Sequence, residues 1–258
     1  MNETEKEIKQ LQKRLSELAD KSFNQNMYTF TGFLGLSDQA VFCDMEKELA
    51  YAGAQLFGGN PDCERKMLRF GKEENLGYVE EFPITLLIVR PLLQKFADQL
   101  SHRDFLGAIM NLGIERSTVG DILIRNNTGY VYCQSKVADY LIENLDKIKH
   151  TNVTCAVARE EDVPKPPEPV SMEITVSSVR IDGVISKIYN LSRTQSLELF
   201  RAGKIYLNGR LCENKSCYLK ENDAITVRGF GKFIYQGTKR ETRKGKLSVG
   251  ILIFGRNL

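Results

Sequence analysis

The amino-acid sequence predicts an α+β fold divided into modules, and three observations carry that prediction. Residues 82–157 alternate between strand-like and helix-like runs in the order β-α-β-β-α-β. Residues 164–169 hold four prolines among charged side chains, a composition that packs no core. Residues 180–233 read as two short helices followed by a hairpin, in a strongly basic setting. With 258 residues, 42% of them hydrophobic, the chain can bury sizeable cores. The punctuation divides it into a mostly helical region at 1–80, a mixed domain at 81–160, a semi-rigid linker at 161–170 and a basic domain at 171–258.

Taken in order, Ile8, Leu11, Leu15 and Leu18 recur at helical spacing among Lys and Glu, which predicts an amphipathic helix over 3–20. Ser37 is placed to cap a second helix reaching about Gln55, and Asp62 to open a short third one carrying Glu64, Arg65 and Lys66. Phe82–Val89 is a strand run, and Pro91 suits the first turn of a helix ending near Asn111. Asp121–Arg125 and Gly129–Gln134 pair across Asn126-Asn127-Thr128. Lys136–Lys149 carries Val137, Leu141 and Leu145 on one helical stripe, and Val153–Ala158 is a last strand. That order is the ferredoxin-like split unit shared with RRM domains, which bind RNA through aromatic side chains on the third strand. Tyr130 and Tyr132 lie two apart there and share a face. They serve either as base-stacking platforms or as a surface covered by the N-terminal segment; the acidity of the domain favours cover.

In the C-terminal domain Val184, Ile188 and Leu191 fall on one face of a first helix, and Ser192 with Gln195 forms a capping box for a second. Gly203 suits the helix end, Ile205 and Leu207 alternate as a half-buried strand, and Asn208-Gly209 is a hairpin turn. The capped end turns backbone N–H groups and the positive helix pole outward beside Arg193, where a phosphate fits. Charge agrees. Residues 171–258 hold 16 Lys+Arg against 7 Asp+Glu, a net of +9, while residues 1–170 hold 20 against 26, a net of −6. Lys232, Lys239, Arg240, Arg243, Lys244 and Lys246 extend the basic run. A basic module on an acidic carrier is the asymmetry of a nucleic-acid binder.

These residues carry a resemblance. Arg180-Ile181-Asp182, Leu191-Ser192-Arg193, Phe200, Gly203-Lys204-Ile205, Leu207-Asn208-Gly209 and Asn222-Asp223-Ala224-Ile225 together resemble the alpha-L RNA-binding domain of small-subunit ribosomal protein S-four. The candidate RNA contacts are Arg180, Ser192, Arg193, Gln195, Ser196, Lys204, Asn208, Lys215, Arg228 and Lys232. Upstream, Tyr28-Thr29-Phe30, Gly58-Gly59, Glu64-Arg65 and the stretch from Leu100 through His102, Gly113 and Arg116 to Ile122 are similar to the bacterial YlmH family. Those proteins join such a body to a C-terminal alpha-L domain, so the resemblance spans nearly the whole chain. It implies a cytoplasmic, ribosome-associated RNA-binding protein, linked to rescue of stalled large subunits and to cell-division gene neighbourhoods. His102, Arg103, Arg116, Tyr130 and Tyr132 form a candidate second surface.

Enzymatic readings fare worse. His102-Arg103-Asp104 matches the kinase catalytic triplet, but Ile109 stands where a metal-binding Asn is needed, and no glycine-rich phosphate loop accompanies it. Placed inside an amphipathic helix, the triplet reads as a structural polar cluster or a ribosome contact. Arg180-Ile181-Asp182 is superficially close to the pseudouridine-synthase motif, yet only 76 residues follow Asp182, too few for a synthase core. Six cysteines lie scattered without a CxxC pair, and His102 and His150 are the two histidines. No catalytic residue, metal site or cofactor is therefore expected. No apolar run approaches the ~20 residues of a membrane span. The expectation is a cytoplasmic monomer whose partners are structured RNA (rRNA and tRNA) and the large ribosomal subunit, with no membrane. The alternatives are an RNA-modifying enzyme and a protein-interaction adaptor in cell division.

Overall fold

Helix α1 (Glu3–Gln25) buries Leu15 and Ala19 against a small antiparallel sheet made of β1 (Thr29–Leu34), β2 (Ala54–Phe57) and β3 (Lys66–Phe70), in the order β1-β3-β2. The computed structural model describes residues 3–163, 168–243 and 245–254. Two compact units divide at Pro164/Lys165. Residues 164–167 of the proline-rich stretch, and Lys244 of the basic run, lie outside the described residues.

The small sheet corrects the expectation of a mostly helical start. Glu64-Arg65-Lys66 leads into β3 rather than into a helix, and helix α2 (Leu36–Met45) stops ten residues short of Gln55, with β2 following. Its opening bond is at Gly35, whose N–H donates to Asp38 Oδ2 at 3.1 Å, not at Ser37. The physical reason lies in β3. Leu68 and Phe70 face α1 and α2 while Met67 packs on the opposite side, so the strand is buried on both faces and loses the alternation that marks strands in sequence.

After a single helical turn, α3 (Glu73–Leu76), come β4 (Ile84–Pro91), α4 (His102–Asn111), β5 (Val119–Arg125), β6 (Thr128–Gln134), α5 (Ser135–Asn144), β7 (Lys147–Ile148) and β8 (Thr151–Val157). The sheet runs β5-β6-β4-β8-β7 with antiparallel neighbours, the order of a split β-α-β-β-α-β unit plus one short edge strand. Leu87, Val89, Val131 and Cys133 face Phe105 and Ile109 of α4 and Ala138 and Leu141 of α5. Two helices are shorter than expected. Pro91 ends β4, paired with Val153, and α4 begins only at His102, where Ser101 N–H donates to Asp104 Oδ2 at 2.8 Å. The expected helix over 136–149 ends at Asn144 because Lys147 and Ile148 pair with Asn152 and Thr151.

The C-terminal unit is a six-stranded antiparallel sheet with two helices on one face. Its strands are β9 (Val170–Val176), β10 (Ile205–Leu207), β11 (Arg210–Leu211), β12 (Ala224–Val227), β13 (Gly231–Glu241) and β14 (Leu247–Phe254), ordered β11-β10-β12-β13-β14-β9. Helices α6 (Ile181–Ile188) and α7 (Arg193–Arg201) bury Val184, Ile185, Ile188, Leu199 and Phe200 on Ile205, Ile225, Phe233, Val249 and Ile251. Asn190 adopts a left-handed φ of 51°, so α6 stops at Ile188 and Leu191 packs from the connecting turn. The hairpin turn Asn208-Gly209 has φ values of 50° and 80°, as a tight primed turn requires.

Candidate nucleic-acid interface

Helix α7 opens on a reciprocal pair. Gln195 N–H donates to Ser192 Oγ at 3.2 Å, and Ser192 N–H donates to Gln195 Oε1 at 2.9 Å. Both capping side chains are thus engaged, while Arg193 on the first turn stays exposed. Arg180, just before α6, grips Asp182 at two points, Nε to Oδ1 at 3.1 Å and Nη2 to Oδ2 at 2.8 Å. That bond raises the Arg180 pKa, so its charge is permanent. Ser196 is buried, and its hydroxyl donates to the Asp182 carbonyl at 3.3 Å. Arg180, Arg193 and Ser196 meet in a shallow depression of about 310 Å³, together with Ser177, Ser178 and Ser186, which the sequence reading missed. With Asp182 in the lining and bonded to Arg180, the exposed Arg193 and the hydroxyls of Ser177, Ser178 and Ser186 at a capped helix end are what an anion would meet here.

A second basic group gathers on the sheet. Arg228 N–H donates to the Lys204 carbonyl at 2.8 Å, and the Arg228 guanidinium lies 4.6 Å from the centre of the Tyr206 ring. Strand register sets Tyr206, Thr226, Lys232 and Phe254 in one row, on the face away from the helices. Lys232 Nζ is 5.5 Å from the Phe254 ring centre. Asn208 is spent internally: its amide donates to Asp223 Oδ1, and its Oδ1 accepts from Ala224 N–H, both at 2.8 Å. Lys215 stands exposed in a turn closed by Cys217 N–H on the Asn214 carbonyl.

In the N-terminal unit the candidate second surface keeps His102 near Arg116, while Tyr130 and Tyr132 are buried. His102 and Arg103 open α4 rather than lying inside it. Asp104, third of the triplet, closes the capping box on the N-cap Ser101. Lys149 Nζ at 2.8 Å and the Ser101 hydroxyl at 2.6 Å hold its carboxyl down to about 2. Arg116 turns onto the carbonyls of Val119 and Gly120, and Arg65 onto those of Phe33 and Val119. Asp121 accepts the N–H groups of Glu64 and Arg65 at 2.6 and 3.0 Å. Burial, then the neighbouring Arg65, lowers Arg116 to about 10. Burial and Arg116 push His102 down as well. This cluster ties the small sheet to β5. Tyr130 and Tyr132 are 8% and 1% exposed, under Phe33, Cys63 and Met67, and Asn60 Nδ2 donates to the Tyr132 hydroxyl at 2.9 Å. Of the two alternatives for this pair, cover by the N-terminal segment is the one the structure shows, as the acidity of the domain favoured.

Comparison with known proteins adds three findings. Residues 78–162 match the family model for the candidate RNA-binding domain in YlmH. The ribosome-associated protein quality control protein P2 of Bacillus subtilis (strain 168) is 27% identical over 220 residues, which cover 85% of this chain and 84% of that protein. The chain is thus similar to YlmH proteins. A solved structure, the cell division protein ylmH from Streptococcus pneumoniae, is 18% identical, covering 64% of this chain and 97% of that one with a TM-score of 0.48. The matched segment contains the whole five-stranded sheet, since β4 starts at Ile84 and β8 ends at Val157. Among the described residues no cluster of three His, Cys, Asp or Glu is placed to hold a metal ion, and no helix is long and apolar enough to cross a membrane.

Proposed function

We propose that this chain is a member of the YlmH family, a ribosome-associated RNA-binding protein that acts by occupying its target, without catalysis. The observation that carries the reading is the depression where Arg180 and Arg193 converge at the capped start of α7, with Ser177, Ser178, Ser186 and Ser196 around them. Lys204, Arg228 and Lys232 add cations to the same unit. The reading takes residues 171–258 as an alpha-L module and structured rRNA or tRNA of the large subunit as the target, in the cytoplasm, with the protein a monomer. Phosphates are recognised by position, and RNA shape supplies selectivity. Cys133 and Cys155 are no nucleophiles, because burial pushes them to about 12 and about 11, far from a thiolate at neutral pH. The test is cosedimentation with ribosomal subunits. An Arg193→Ala, Lys204→Ala protein that folds normally should leave the large-subunit fraction; full retention there overturns the reading.

A further inference from the structure

We propose that the open end of the five-stranded sheet, around Arg90, Arg125 and Phe96, is the RNA contact of residues 78–162 and takes an unpaired single strand. The proposal rests on the RNA-binding reading above and places the RNA on this domain. The sheet face that carries Tyr130 and Tyr132 is closed by the small N-terminal sheet, so bases have no access to those rings. The closure ends just past Tyr130. Register pairs Arg125 with Thr128 and Arg90 with Thr154, and alternation puts all four on the same face as Tyr130 and Ile88. Arg90, Arg125 and Thr154 are exposed there, and neither arginine makes a salt bridge among the described residues.

Beyond this row the chain leaves β4 as a loop with unusual exposure. Leu92 is 59% exposed and Leu93 67%, while Phe96, at 78%, is the most exposed large hydrophobic side chain among the described residues. The loop is nevertheless tied down. Gln94 Nε2 donates to the Asn126 carbonyl at 2.6 Å, Leu100 N–H to Asn127 Oδ1 at 3.0 Å, and Asn127 Nδ2 to the Asp98 carbonyl at 2.8 Å. The β5–β6 turn thereby anchors the segment that presents Phe96, with Lys95 Nζ 5.9 Å from its ring centre.

A lone apolar loop would suit a protein partner. Here it follows Arg90 along the chain and is bonded to the turn after Arg125, and the row these two arginines share carries Thr128 and Thr154. Cations that follow a backbone beside an aromatic stacking platform are the equipment of a single-strand binder. A duplex keeps its bases stacked on each other, so Phe96 selects unpaired nucleotides.

The test measures fluorescence anisotropy of a labelled, uridine-rich single-stranded RNA with the full chain. Arg90→Gln with Arg125→Gln, and separately Phe96→Ser, should each weaken binding roughly tenfold. Phe96→Tyr, which keeps a ring, should retain it. All these side chains are exposed, and unchanged thermal melting will show that the variants fold. Unchanged affinity in both weakened variants overturns the proposal. So does an acidic, leucine-bearing peptide that binds more tightly than the RNA and is lost in the same variants, because the surface is then a protein dock. Arg193→Ala with Lys204→Ala separates the two readings. If that protein alone loses the single strand, the sheet-end proposal fails and the C-terminal reading stands; if it alone keeps the strand, the sheet end is the site.

Discussion

At the scale of single residues, an exposed charge at Arg193 and a closed contact at Gly59 lead to opposite expectations. Arg193 lies on the first turn of α7 and lines the serine-rich depression. Its replacement by Ala should cost roughly 1–3 kcal/mol of RNA affinity, the range for a charge-assisted hydrogen bond. The melting temperature should stay put, since an exposed Arg contributes little to folding; a titration with unchanged Kd would remove Arg193 from the site. Gly59 has a φ of 107°, and a Cβ there would overlap the Tyr132 ring. Gly59→Ala should therefore destabilise the protein by ~1–3 kcal/mol through overpacking, measured by denaturant unfolding. An unaltered midpoint would mean that the cover over Tyr132 is loose.

Among the elements, α4 offers a charge test. Lys149 and Ser101 hold the Asp104 carboxyl at about 2, below its usual 3.8. A depressed acid contributes stability that is present above its unfolded pKa and is lost as pH falls toward its folded pKa. The contribution of this cap should thus be intact at neutral pH and fade between about pH 4 and pH 2. Asp104→Asn should lower the melting temperature at pH 7 and change it less in acid, and NMR titration should place the Asp104 midpoint near 2; a midpoint near 3.8 would show the Lys149 contact to be transient in solution. The same helix shows what sequence hides. Pro91 is a good first-turn residue, yet it closes β4, because register with Val153 outweighs a local preference. By contrast, the Ser192–Gln195 box and the Asn208-Gly209 turn were legible, since each is satisfied by neighbours in the chain.

On the scale of the whole molecule, the +9 C-terminal third joined to a −6 body predicts how binding responds to salt and to cutting. If about four to six phosphates are neutralised, log affinity should fall with log salt at a slope near −3 to −5; an affinity indifferent to salt would exclude a phosphate-led interface. If both proposed RNA contacts are engaged at once, effective concentration raises avidity. The intact protein should then bind ribosomes far more tightly than an equimolar mixture of residues 1–165 and 166–258, and equal binding would make the connection incidental. Sequence by itself determined the α+β class, the division near the prolines, the capped helix with Arg193, and the charge asymmetry. Each is written in short-range patterns or in composition, which need no partner from elsewhere in the chain. Tertiary structure decided the rest. Whether Tyr130 and Tyr132 are platforms or core depends on β1 and β3 closing over them, and β3 gives no strand signal because both its faces are buried. Likewise, Arg90 and Arg125 lie 35 positions apart in sequence and share one row only because β4 and β5 flank β6. Contacts between distant segments set burial and adjacency, and no local pattern encodes them.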